Sequence, residues 1–101
     1  MQVMDTKVLK AIAHHLDPIV TIGNAGLSTS VIAELKRAIS DHELIKIRLN
    51  VGDRKFRSEL ANEVAQLLRA KLVQQIGKVF VVYRANEQTC PALSNITRFG
   101  H

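Results

Sequence analysis

Gly23-Asn24-Ala25-Gly26 has the spacing in this 101-residue chain that points most directly to chemistry. Glycines at both ends let a backbone adopt positive φ and approach a ligand closely. The quartet falls between a β-branched run and a helical pattern. The helix start that follows offers unsatisfied N–H groups and the positive end of a dipole, a natural seat for phosphate. G-x-x-G loops in some single-stranded RNA modules clamp backbone nucleotides in this way. The Lys-Ser/Thr ending of a Walker loop and the third glycine of a dinucleotide fingerprint are both missing, which argues against nucleotide hydrolysis or a dinucleotide cofactor. A tight strand-to-helix turn with no ligand is the plain alternative.

The second chemical feature is positive charge. Lys46 and Arg48 alternate with Ile45, Ile47 and Leu49, so they share one face of a strand whose other face is apolar. Arg54, Lys55 and Arg57 follow at a helix entry, and between Leu44 and Arg57 only Asp53 opposes these five basic residues. Lys7, Lys10 and His14 recur on one face of an N-terminal helix. Near the end of the alternating pattern, Arg84 shares a face with Phe80 and Val82. The whole chain carries 14 Lys and Arg against 9 Asp and Glu, a formal charge of +5. Such a balance suits a polyanion, because each neutralised phosphate releases a counterion. Ordinary solvated charge is the competing explanation, and function would need several contacts acting together.

Other chemistry is poorly supported. His42-Glu43 looks like half of a zinc-protease motif, yet the second His would fall at position 46, which is Lys. His14 and His15 are adjacent, so an i, i+4 metal pair is not formed. Cys90 is the single thiol; it has no internal disulfide partner and lies far from any His-containing motif. No catalytic constellation and no cofactor are expected. The aromatics are Phe56, Phe80, Tyr83 and Phe99; Phe56 reads as core, and only Tyr83 offers a stacking surface. That scarcity favours recognition of RNA shape and backbone over a base-stacking platform.

The elements that must position these residues follow from periodicity. A helix is predicted from Asp5 to about Leu16, ended by Asp17-Pro18. Ile19 to Ile22 reads as a strand, and a helix from Thr29 to His42 with Ser28 as N-cap buries Val31, Ile32, Leu35, Ala38 and Ile39. Leu44 to Asn50 is a strand, and Lys55 to Ala70 a helix burying Phe56, Leu60, Val64, Leu67 and Leu68. Leu72 to Ile76 and Val79 to Tyr83 form a hairpin through Gly77-Lys78. The order α-β-α-β-α-β-β makes the first three strands parallel and the last antiparallel, in a four-stranded mixed sheet packed with helices.

With 47% apolar residues the chain is expected to form one globular domain over residues 1–84, followed by a mobile tail over 85–101. It has no apolar stretch long enough for a bilayer and no signal-like start, so a cytoplasmic, membrane-free monomer is expected.

Several segments also resemble a known family. Leu9-Lys10-Ala11-Ile12-Ala13-His14, then Pro18-Ile19-Val20 leading into Ile22-Gly23-Asn24-Ala25-Gly26-Leu27, is similar to the opening of the CRM domain, in particular its stand-alone bacterial YhbY form. His42 to Arg48 resembles its central signature, and Val73 to Lys78 with Val82-Tyr83-Arg84 its closing hairpin. The resemblance runs from about Lys7 to Arg84. It implies an α/β fold of the α+β type, similar to the C-terminal domain of a bacterial translation initiation factor. It also implies binding of structured pre-ribosomal RNA and a part in assembly of the large ribosomal subunit. Gly23, Asn24, Ala25 and Gly26 would form the RNA loop, flanked by Lys7 and Lys10. Lys46, Arg48 and Arg84 match further basic positions. Docking on a ribosomal protein or assembly factor, and a general RNA-chaperone role, are the competing expectations.

Overall fold

A computed structural model of the chain describes residues 6–85. Its elements are α1 (Thr6–Ala13), β1 (Val20–Ile22), α2 (Thr29–His42), β2 (Leu44–Leu49), α3 (Arg54–Leu68), β3 (Lys71–Ile76) and β4 (Val79–Tyr83). The order is the expected one, and most boundaries agree within two residues. The predicted helix start at Asp5, the tail beyond Ala85, Cys90 and Phe99 lie outside the described residues.

α1 is shorter than its periodicity suggests. After His14 N–H bonds to Lys10 O, the next two amides reach back only three residues, His15 to Ile12 O and Leu16 to Ala13 O. This tightening carries the chain to Asp17-Pro18 without another α-helical turn. α2 begins where Ser28 Oγ accepts from Val31 N at 3.2 Å. It ends at a single connecting residue, Glu43, with φ 63. No glycine marks this reversal, which turns α2 directly into β2. α3 starts at Asp53, whose carboxylate accepts from Lys55 N at 2.9 Å, and closes at Arg69 in the left-handed region.

The strands pair in the order β1-β2-β4-β3, with β1 parallel to β2 and β4 antiparallel to both β2 and β3. The hairpin thus places its second strand inside the sheet and leaves β3 at an edge. At the turn Gly77 takes φ 56, which suits glycine. Lys78 O accepts from Leu49 N at 2.6 Å, tying the hairpin tip to the end of β2.

Helices cover both faces. α2 and α3 bury one face in a large core built on Leu35, Ile39, Ile45, Ile47, Leu60, Val64, Phe80 and Val82. α1 lies on the opposite face against β2 and β3, where Leu9, Ile12 and Ala13 pack with Leu44, Val73 and Val81. The face bearing Lys46 and Arg48 is therefore not wholly solvated, since Leu44 at its start is buried under α1. Two expected core residues fall outside the core: Ile32 is only half-buried, and Leu67 is 36% exposed, while Ala61 and Ala65 face the sheet instead. The contact stripe of α3 runs through 60, 61, 64, 65 and 68, and position 67 falls outside it. Val31 and Phe56 pack against this core only partly buried.

Candidate nucleic-acid interface

Strand register decides which predicted residues meet. Thr21 pairs with Arg48 and Ile22 with Leu49, so the Gly23–Gly26 loop leaves β1 beside Arg48. Asn50 N–H donates to Ile22 O at 2.7 Å and holds the loop's base to the end of β2. Within the loop, Gly26 N–H donates to Gly23 O at 3.0 Å, closing a four-residue turn with Asn24 and Ala25 exposed at its crown. Gly26 has φ 75 and requires glycine; Gly23 does not, yet a Cβ there would meet nothing within 4 Å. Open space above both glycines leaves the backbone accessible to a ligand.

The helix start behind the loop is less available than its sequence position suggests. Leu27 and Ser28 separate Gly26 from Thr29, and Ser28 Oγ already accepts the Val31 amide. At the loop crown, by contrast, Asn24 and Ala25 are exposed.

Lys46 and Arg48 project from β2 on the α1 side, two residues apart and hence about 6.6 Å along the strand. α1 brings Lys10 and His14 to the same face, where they border a groove of about 240 Å³ with Lys46, Gln74, Ile76 and Val79. Arg48, Lys46 and Lys10 thus form one track on the α1 face of the sheet, with the loop at the strand end beyond Arg48. Lys7 stands one helical turn before Lys10, toward the end of α1 where Thr6 Oγ1 accepts from Lys71 Nζ at 2.7 Å.

Arg84 is not on this track. Its face is that of Phe80 and Val82, and its guanidinium bonds Leu68 O at 2.8 Å and Ser40 Oγ at 3.2 Å. Arg54 and Arg57 also lie on the far side, bordering a depression of about 380 Å³ with Ser58, Gln75 and Gly77. Arg57 Nη1 donates to Val51 O at 3.1 Å and braces the turn into α3.

Tyr83 does not form an open stacking platform. It is half-buried against the α1 core, and burial, helped by nearby Glu43, raises its hydroxyl pKa above the usual 10.0. The His14 and His15 rings meet edge to face, 5.8 Å between centroids. Among the described residues no group of three or more His, Cys, Asp or Glu is arranged to hold a metal ion. None of the described helices is long and apolar enough to cross a membrane. Sequence reasoning placed His14 on the helix face of Lys7 and Lys10 and argued against a metal role for it, and gave Gln74 and Ile76 no functional part. Their alternation on β3 was a faint signal; that β3 lies under α1 was not visible.

Fold and surface together define the class: a small α/β domain with a glycine-bracketed loop at its strand ends and a basic track on one sheet face. The chain belongs to the CRS1 / YhbY (CRM) domain family, whose model matches residues 1–84. It is similar to a probable RNA-binding protein of Pseudomonas aeruginosa, 46% identical over 93 residues, covering 92% of this chain and 89% of that one. An RNA-binding protein of Haemophilus influenzae is 40% identical over 80 residues, covering 79% and 81%. Among solved structures, a Staphylococcus aureus protein described as a candidate RNA binder superposes with a TM-score of 0.74 at 30% identity, covering 84% of this chain and 88% of that one.

Proposed function

We propose that this protein is a non-catalytic RNA-binding protein of the cytoplasm that holds structured pre-ribosomal RNA during assembly of the large ribosomal subunit. The observation that carries the reading is the register Thr21↔Arg48, which sets the glycine-bracketed loop at the strand end next to Arg48, with Lys46 and Lys10 further along the α1 face. Relatives named as RNA-binding proteins support RNA as the polyanion. The ribosomal role rests on the resemblance to stand-alone bacterial members of the family.

The mechanism is static. Crown amides at Asn24 and Ala25 and the cations behind them neutralise successive phosphates, and the rigid sheet keeps their spacing fixed, so RNA already folded to that spacing is stabilised. The protein acts as a monomer in this reading, and ribosomal proteins would be secondary contacts. Sedimentation of a cell extract through sucrose gradients at low and high salt tests it. Co-migration with a large-subunit precursor, lost as salt rises, is expected. Persistence at the top of the gradient at low salt removes the ribosomal reading.

A further inference from the structure

The groove between α1 and the sheet holds more than charge. Lys10 and His14, one helical turn apart on α1, form one wall and Lys46 enters from β2. Its floor is Ile76 and Val79, directly paired across the hairpin, with the Gln74 side chain beside them on the same face. Among the described residues, no acidic side chain lines it. Ile76 is 65% exposed, the barest large hydrophobic among the described residues.

A site that only gripped phosphate would have no use for an apolar floor, and one that docked an apolar helix would not be ringed by cations. A nucleotide is the ligand whose chemistry is split in this way: a flat, weakly polar face, a hydrogen-bonding edge and an anionic link on either side. The Gln74 amide presents both a donor and an acceptor, as a base edge requires. Bases of single-stranded RNA are free to be splayed out and read at their edges, whereas those inside a helix are not.

We propose that this groove takes one unstacked nucleobase of a single-stranded RNA segment. The base lies on Ile76 and Val79 with its edge at Gln74, and the neighbouring phosphates meet Lys10 and Lys46. This rests on the RNA-binding reading and adds base recognition to what is otherwise backbone recognition.

The test is fluorescence anisotropy of the full chain with end-labelled RNA homopolymers of about ten nucleotides, beside an abasic oligomer of the same length and charge. The abasic strand is expected to bind about fivefold or more weakly than the best homopolymer, the scale of one buried base contact. Ile76→Thr, which keeps a β-branched residue at this exposed edge position, should bring the homopolymer down toward the abasic strand. Gln74→Leu should flatten the ranking among homopolymers, and Lys10→Gln should weaken normal and abasic strands alike. Equal binding of normal and abasic strands by the wild type, with Ile76→Thr unchanged, overturns the base site and leaves backbone binding standing. Failure of the wild type to bind any strand at low salt overturns RNA binding itself.

Discussion

The Arg84 guanidinium bonds the carbonyl of Leu68, the last residue of α3, at 2.8 Å. That carbonyl lies at the negative end of the helix dipole, where a cation is favoured. The same guanidinium reaches Ser40 on α2, and Arg84 N–H donates to Glu43 O at 2.8 Å. One residue at the exit of β4 therefore ties together the ends of both helices on that face. Arg84→Ala is expected to lower stability by about 1.5–3 kcal/mol, the range for hydrogen bonds to a charged group, as read by urea denaturation. RNA affinity of the folded fraction should be unchanged. A variant of wild-type stability that no longer binds RNA would instead place Arg84 in the interface.

The two loop glycines should respond differently. At Gly26, with φ 75, a Cβ is strained, and Gly26→Ala should cost about 1 kcal/mol or more in a chemical melt. Gly23→Ala meets open space and an ordinary φ, so its stability should stay within about 0.5 kcal/mol of the wild type. Any loss of RNA affinity in Gly23→Ala would then report close approach of the ligand.

Charge at the crown gives a cleaner separation of binding from folding. Asn24→Asp with Ala25→Asp adds two carboxylates at exposed positions, and thermal stability should hold. Binding to a large-subunit ribosomal RNA transcript should fall by at least about tenfold, because each carboxylate repels phosphate at short range. Normal binding by the double variant would remove the loop from the interface.

The basic track predicts a salt signature. Each phosphate contact on single-stranded RNA contributes about 0.7 to the slope of log affinity against log salt. Lys10→Gln with Lys46→Gln should lower that slope by about 1.4 with little change in stability. Affinity falling at constant slope would mean that the lysines support the surface without touching phosphate.

Tyr83 governs behaviour at alkaline pH. Burial, with Glu43 nearby, makes its phenolate unfavourable in the fold, so its pKa is raised above 10.0. The folded state thus holds this proton more tightly than the unfolded chain. The associated stability is fully present below pH 10.0 and declines as pH rises from there through the folded-state value. Tyr83→Phe should remove that part of the alkaline decline in a pH series of denaturation midpoints.

The sequence by itself determined the elements and their order, because periodicity and caps are local signals. Ser28 and Asp53 announce α2 and α3, the alternation from Leu44 announces β2, and Gly77-Lys78 announces the hairpin. It also determined that a glycine-bracketed loop lies between β1 and α2. The reversal at Glu43 was implied by a helix ending at His42 and a strand starting at Leu44, but its positive φ was hidden, since no glycine marks it. Only the tertiary structure placed β4 between β2 and β3, laid α1 over the second face, and so brought Lys10 to Lys46 and Gln74 to His14. It likewise turned Arg84 inward, although its position in the chain gives it the look of a surface cation. These relationships join residues far apart in sequence. They are decided by how two sheet faces are buried at once, a condition that no local pattern encodes.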